Sequence, residues 1–243
     1  MFKNIVLFFL GFFDYFHKKK LLNLLKKEKL NNLNLVLDVG AHKGESISFF
    51  LKNFNLKKII SFEASPYNFN ILKKNLTKLQ NLNKNTEIKV ENLALGNSNN
   101  LIKLKQFNES SSSTFSKINK DSVYYKRKMK LLNFFDLKKN FFEVEVNLST
   151  LNTYVKNNNI QFVYILKIDT EGYEFEILKG LEEKIKLINL IIFEHHYDDM
   201  IQKNYTFGDI NKILINNNFN QIFKIKMPFR KSFEYVYSNL NEI

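Results

Sequence analysis

The sequence of 243 residues contains no cysteine. Disulfide bonds and thiolate metal ligands are therefore excluded, and a reducing compartment such as the cytoplasm suits the chain. A long apolar run is also missing, because Asp14 interrupts the apolar stretch near the N-terminus and no small-residue cleavage site follows it. We therefore expect neither a transmembrane helix nor a secretory signal peptide.

The positive charge of the chain is large but dispersed. The formal net charge is +13, and lysines occur along the whole sequence without an arginine-rich cluster. Specific nucleic-acid binding needs a focused basic patch, so we do not expect a nucleic-acid partner.

Residues 1–32 predict an amphipathic helical segment. Apolar side chains recur at helical spacing, at Ile5, Phe8, Phe9, Phe12 and Phe16. Three interpretations of this face remain open: it covers the core of the domain, it contacts a second copy in a homodimer, or it lies on a membrane surface beside the basic "HKKK" flank. His17, within that flank, is expected at the surface.

Residues 33–243 predict one α/β domain. Apolar runs of strand length, such as "LNLVLDVG" and "KKIISFEAS", alternate with helical patterns such as "PYNFNILKKNLTKL". This alternation is typical of a Rossmann-like, doubly wound and mostly parallel sheet. "EIKVENLAL" predicts a single third strand, and "QIFKIK" with "FEYVYSN" a closing hairpin. The irregular insert 108–140 is a candidate substrate lid, or else a flexible surface excursion.

Glycine is scarce, with 7 residues in the chain, yet two of them follow an acid in "DVGAHKG". Asp38 stands where a dinucleotide-binding turn has its first glycine, which disfavours a nicotinamide cofactor, and the absence of a P-loop disfavours ATP. We expect Asp38 to pair with a cationic amino group directly or through a water, Gly40 to let the backbone approach a ligand, and Gly44 to let the following helix pack. Glu63 ends the next strand, where an acid accepts ribose hydroxyls. Together these residues favour S-adenosylmethionine.

Five motifs in order resemble one known family. "LVLDVGAHKGES", "IISFEASPYNFNILKKNL", "LALGN", the serine run and "LKIDTEGYEFEILKG" are similar to the FkbM-type S-adenosylmethionine-dependent methyltransferases. The resemblance implies a class I methyltransferase fold with seven strands, one of them antiparallel, and methyl transfer to oxygen, often of a sugar or polyketide hydroxyl. It also implies that the cofactor turn contains Asp38, Gly40, His42 and Gly44, with Glu63 at the ribose and Ala94 near the adenine.

The candidate catalytic residues follow two later strands. Asp169 and Glu194 end buried strands, and the carboxyl ends of strands face the ligand in such sheets. Methylation of a hydroxyl requires removal of its proton, for which Asp169 or a histidine is a candidate base. Adjacent histidines on an extended chain point in opposite directions, so at most one faces the site, and we assign His195 to it. Glu171 either orients the substrate or only stabilises a helix N-terminus.

Two further alternatives remain open at this point. Asp169 and Glu194, with a histidine, are candidate ligands of a divalent metal, although a site without metal is favoured. The sequence favours an S-adenosylmethionine-dependent O-methyltransferase acting on a sugar, glycolipid or other hydroxylated metabolite. An N-methyltransferase and a catalytically silent adenosine-binding module are the other hypotheses.

Overall fold

The protein is described by a computed structural model that covers residues 16–28, 30, 32–107, 114–123, 125–127, 130, 141–228 and 231–240. Its strands are β1 (Asn32–Val39), β2 (Asn55–Phe62), β3 (Glu87–Glu91), β4 (Ala94–Gly96), β5 (Asn100–Phe107), β6 (Lys117–Ile118), β7 (Phe141–Thr150), β8 (Val163–Ile168), β9 (Ile188–His196), β10 (Ile201–Gln202), β11 (Phe219–Lys226) and β12 (Ser232–Asn239).

A seven-stranded sheet in the order β11-β12-β9-β8-β1-β2-β3 forms the centre of the molecule. β1 pairs in parallel with β2 and β8, and the parallel pairing continues to β3 on one side and β9 on the other. β12 is antiparallel to both of its neighbours, β9 and β11. The sheet therefore has one antiparallel strand, which confirms the predicted Rossmann-like α/β fold and the closing hairpin.

The central strands are buried on both faces. Val36 and Leu37 are adjacent in β1, yet their side chains belong to two different core clusters. Successive side chains of a strand point to opposite faces, so one apolar run supplies both cores. This explains why the strands read as continuous apolar segments.

Helices cover the two faces of the sheet. They are α1 over residues 16–27, α2 (Glu45–Asn53), α3 (Pro66–Gln80), α4 (Leu151–Asn157), α5 (Glu174–Lys179) and α6 (Phe207–Asn216), with a 3₁₀ helix at Glu182–Leu187. The described residues 125–127 are also helical. Thr150 caps α4 by accepting a hydrogen bond from the Thr153 amide at 3.0 Å.

Helix α1 packs onto the domain itself. Leu21 and Leu25 are buried in the same cluster as Val36 and Phe50, so this part of the apolar face covers the domain's own core. The predicted helical positions Ile5 to Phe12 lie outside the described residues. In the part of the chain that the structure describes, no helix has the length and apolar character needed to cross a membrane.

A second, three-stranded sheet has the order β4-β7-β5, and β6 pairs with β10. The segment "EIKVENLAL" is therefore not one strand, as predicted, but β3 and β4 in different sheets. Asn92 lies between the two strands, and its side-chain amide donates to the Glu63 carbonyl at 2.8 Å. This hydrogen bond fixes the segment between β3 and β4 to the loop after β2.

Candidate functional site

A cavity of about 340 Å³ lies at the carboxyl ends of the parallel strands. Open α/β sheets bind their ligands at this edge. Its walls come from α1 and α2, from the loops after β1, β2, β3 and β8, and from β4, β5, β9 and β12. Of the predicted site residues, Gly40, His42, Glu63, Ala94, Asp169, Glu171 and Glu194 line it.

The two glycines of the first loop serve the packing of the protein. Gly40 has φ +91°, and a Cβ there would lie 2.0 Å from the backbone oxygen of Asp169. Gly40 is therefore required by the close approach of β8, although it also lines the cavity. Gly44 has φ +98°, and its Cβ would lie 2.7 Å from a methyl group of Leu79. Leu79 belongs to α3, so the close approach at Gly44 comes from α3 and not, as predicted, from α2, the helix that follows it.

Glu63 is held in place by the backbone at the edge of the cavity. Its Oε2 accepts a hydrogen bond from the His42 amide at 2.7 Å, and its Oε1 accepts one from the Ser65 amide at 2.8 Å. Burial raises the pKa of Glu63 to about 7, against the lowering effect of these amides. A carboxylate oxygen accepts more than one hydrogen bond, so both oxygens can also receive ligand hydroxyls.

Asp38 lies beneath the cavity and is not part of its lining. Its side chain is completely buried, with Oδ2 accepting a hydrogen bond from the Ser61 hydroxyl at 3.2 Å. Oδ1 has no hydrogen-bond partner among the described residues. Burial raises the pKa of Asp38 to about 6, although the Lys167 ammonium opposes the shift. Asp38 is therefore more deeply buried than the sequence analysis predicted, since its side chain does not line the cavity.

The other two predicted cofactor residues have different surroundings. His42 has φ 51°, and its Nδ1 is 3.2 Å from Glu45 Oε1. Ala94 is buried at the start of β4, in a small cluster with Leu104 and Leu148. Both line the cavity, at the end that contains Glu63.

Three further carboxyl groups lie at the end of the cavity formed by β8 and β9, and β1 separates these strands from β2, which Glu63 follows. Asp169 follows β8 and is 3.0 Å from the ammonium of Lys167, which the sequence analysis missed. Burial would lower the pKa of Lys167, but Asp169 and Asp38 hold it above its usual value. Glu194 accepts a hydrogen bond from the Ser232 hydroxyl at 2.5 Å. The sequence signal for Lys167 is its position as a charged residue within the otherwise apolar strand of "FVYILKID", where a buried charge needs a partner.

The third of these carboxyl groups, Glu171, sits on a strained turn fixed by the insert. Glu171 has φ 52°, a left-handed conformation that is costly for a residue with a side chain. Thr114 donates a hydrogen bond to its carbonyl at 2.9 Å, and Ser116 donates one to the Gly172 carbonyl at 3.2 Å. Phe115, between them, lines the cavity. The described end of the insert 108–140 therefore contacts the site, while the lid itself stays a prediction.

The two histidines after Glu194 point to opposite sides of β9. His196 Nε2 is 3.4 Å from Glu171 Oε2 and 3.5 Å from Glu194 Oε1. Burial would lower the pKa of His196, but the carboxylates of Asp198, Glu171 and Glu194 raise it to about 9. His196 is therefore the histidine beside the carboxyl groups of the site.

Neither histidine is among the residues that line the cavity, and His195, the histidine predicted to face the site, lies on the opposite side of β9 from His196 and its carboxylates. The His195 ring packs against Tyr197, Tyr205 and Phe207, with centroid distances of 4.8, 6.0 and 5.7 Å. Burial, reinforced by Lys203, lowers the pKa of His195 to about 3. The assignment failed because Glu194 and His196, two residues apart, share a face of the strand.

Helix α1 contributes a residue that the sequence placed at the surface. His17 is buried, and its Nε2 lies 2.6 Å from Glu234 Oε2 on β12. Both residues line the cavity, as do Lys18 and Leu21 of the same helix. The expectation that His17 is a surface residue is therefore wrong, since α1 forms one wall of the site.

The geometry does not support the metal alternative. Within the described ranges, no three histidine, aspartate or glutamate side chains are arranged to hold a metal ion. The cation that lies beside Asp169 is the ammonium of Lys167.

Similarity to solved structures agrees with the fold. The FkbM methyltransferase of Methylobacillus flagellatus KT aligns over 86% of this chain and 44% of that chain, with TM-score 0.56 and 15% identity. Magnesium protoporphyrin IX methyltransferase (ChlM) from Synechocystis PCC 6803, solved with bound SAM, aligns over 92% of this chain and 78% of that chain, with TM-score 0.50 and 11% identity. TrmK of M. capricolum, solved with S-adenosyl-homocysteine, aligns over 91% of this chain and 68% of that chain, with TM-score 0.50 and 15% identity.

The present chain thus spans less than half of the Methylobacillus flagellatus protein. No curated protein sequence matches it significantly. The family model described as the methyltransferase FkbM domain, however, matches residues 38–221, which contain both ends of the cavity. The chain therefore belongs to the FkbM methyltransferase family.

Proposed function

We propose that this protein transfers a methyl group from S-adenosylmethionine to a hydroxyl of a sugar, glycolipid or other metabolite, in the cytoplasm. The observation that carries the proposal is one cavity with a backbone-held carboxyl group, Glu63, at one end and the carboxyl groups of Asp169, Glu171 and Glu194 at the other. Membership of a methyltransferase family supplies the reaction type.

The cofactor end fits an adenosine carrying a cationic amino acid. Glu63 has free lone pairs for two ribose hydroxyls, and Ala94 and Leu95 offer an apolar surface for a base. Oδ1 of Asp38, which has no hydrogen-bond partner in the described part of the chain, supplies negative charge beneath the amino end. When bound, S-adenosylmethionine supplies an electrophilic methyl group on a sulfonium.

The acceptor end fits a neutral hydroxyl that must lose a proton. Asp169 and Glu171 line the cavity at the turn after β8 and are the candidate bases. The His196 imidazolium, near Glu171 and Glu194, holds these two carboxylates together despite their like charge. The apolar side chains of Phe49, Phe115 and Ile192 in the same lining exclude water from the reacting groups.

The experiment combines cofactor titration with a methyl-transfer screen. Calorimetry should show binding of S-adenosylmethionine to the wild type and, with affinity changed less than about threefold, to Asp169→Asn. Labelled donor should then modify a hydroxyl in a fraction of glycans, lipids, proteins or small metabolites, with Asp169→Asn slower by about a hundredfold.

The other outcomes are equally informative. Label recovered on an amine would identify an N-methyltransferase instead. Cofactor binding without transfer to any fraction would favour a silent adenosine-binding module. A well-folded, cofactor-free sample that releases no heat with S-adenosylmethionine would contradict the whole proposal.

A further inference from the structure

The charged residues on the outer face of α1, within residues 16–27, are lysines. His17, Leu21 and Leu25 are buried and follow one another at intervals of four residues, so they define the inner face of the helix. Successive helical residues are rotated by about 100°, which places Lys19, Lys20, Lys26 and Lys27 on the opposite side. All four lysines are exposed.

Other residues on this face add an apolar contact and no negative charge. Phe16 is 44% exposed, and Asn23 lies exposed between the two lysine pairs. In the part of the chain that the structure describes, no ion pair is formed by Lys19, Lys20, Lys26 or Lys27. The four ammonium groups therefore face outward without an ion-pair partner among the described residues, and the exposed Glu28, which follows Lys27, reduces the net positive charge at that end of the helix by one.

The same helix borders the candidate active site. Lys18 and His17 line the cavity, and the pair formed by His17 and Glu234 fixes α1 to β12. A surface that contacts the outer face of α1 is therefore close to the wall of the acceptor end. The segment before residue 16 is rich in phenylalanine and leucine, so apolar chain continues from the basic helix.

We propose that the basic outer face of α1 docks on an anionic phospholipid surface. Lysines on one helix face gain attraction from anionic headgroups that neutral lipid does not offer, and an exposed aromatic ring adds interfacial contact. The two lysine pairs are about two turns apart along α1, a spacing that lets both pairs contact the headgroups of one flat lipid surface. Among the acceptors of the proposed function, and resting on that function, this docking favours a glycolipid.

The test measures binding to vesicles without cofactor or acceptor. The full chain is sedimented with vesicles of phosphatidylglycerol and phosphatidylcholine in equal parts, and with vesicles of phosphatidylcholine alone. We expect binding to the anionic vesicles only, and release in 1 M salt, where the screening length falls to about 3 Å. Because no methyl transfer is involved, failure of this proposal is distinguishable from failure of the proposed function.

A matched pair of variants separates the α1 face from general charge. K19Q/K20Q/K26Q/K27Q should bind anionic vesicles more weakly by about 600-fold, since each of the four lysines near the surface contributes about fivefold. K73Q/K74Q/K78Q/K84Q removes the same charge from exposed lysines on α3 and just after it, and should bind like the wild type. Circular dichroism checks that both variants are folded.

Three results would overturn the proposal. Equal loss in both variants would show that net charge, and not the α1 face, attracts the vesicle. Equal binding to phosphatidylcholine would assign the contact to the apolar N-terminal segment. Binding to duplex RNA that depends on the four α1 lysines, with no vesicle binding, would identify a nucleic-acid surface.

Discussion

The carboxyl groups of this site differ in protonation because their surroundings differ. Glu63 and Asp38 are buried, and burial raises their pKa to about 7 and about 6. Burial acts in the same direction on Glu45, but hydrogen bonding and charge from His42 outweigh it and lower the pKa to about 2. Near neutral pH the charge of the cofactor end therefore depends mainly on Glu63.

We expect the affinity for S-adenosylmethionine to fall as the pH drops below about 7. Glu63 is ionised above its raised pKa and accepts ribose hydroxyls best in that state, so protonation weakens binding by at most about tenfold per pH unit. Glu63→Gln should bind more weakly and lose this inflection, leaving the lower one near pH 6 from Asp38. Calorimetric titrations between about pH 5.5 and 8.5 measure how the affinity depends on pH.

Glu45→Gln is the control for this profile. Glu45 also lines the cavity but stays ionised over the whole range, so its replacement should leave the inflection near pH 7 in place. An unchanged profile in Glu63→Gln would remove Glu63 from the ribose site.

At the scale of elements, the turn after β1 is fixed by its neighbour strand. Gly40 donates its amide to the Phe62 carbonyl at 2.9 Å and faces the Asp169 carbonyl. The hydrogen bond to Phe62 and the contact with Asp169 thus hold the loops after β1, β2 and β8 together. A glycine at this position of the motif therefore indicates close packing of neighbouring strands as well as close approach of a ligand.

We expect Gly40→Ala to destabilise the fold by about 3 kcal/mol or more, because a positive φ and a backbone clash are combined. Gly208→Ala is the control: the nearest atom to its Cβ is Thr206 Oγ1 at 3.3 Å, and the position lies in α6. That change should alter stability by less than about 1 kcal/mol. Urea denaturation measures both, and equal effects would contradict the role of the Asp169 carbonyl.

At the scale of the molecule, burial is deepest in the middle of the sheet. The last five residues of β1 are buried and β1 pairs on both sides, whereas β3 has no buried residue and pairs only with β2 in this sheet. Local opening is governed by such differences in packing and pairing. We therefore expect β1 and β8, which lie beneath the site, to open less readily than β3.

Hydrogen exchange should follow this order. We expect amides of β1 and β8 to exchange only through global unfolding, and amides of β3 to exchange earlier through local opening. Mass spectrometry of exchanged peptides distinguishes the two. Exchange from β1 as fast as from β3 would show that the central sheet is not the stable unit.

Much of this architecture follows from local pattern. Apolar runs that alternate with helical patterns predict the parallel sheet. A strand that is buried on both faces must be apolar at odd and at even positions, because successive side chains point to opposite faces. An acid at the end of such a run is placed at the sheet edge by connectivity alone, which is why Asp169, Glu194 and Glu63 were found. The alternation of side chains along a strand also predicts that His196, and not His195, lies on the same face of β9 as Glu194.

The remaining features depend on contacts between distant parts of the chain. His17 and Glu234 are separated by 217 positions, and no local pattern relates a basic helix to the last strand. The buried position of Asp38, the cation of Lys167 beside it and the carbonyl opposite Gly40 also arise from packing across strands. Sequence periodicity records which face of an element is buried, but the partner on that face is chosen only when the elements pack together.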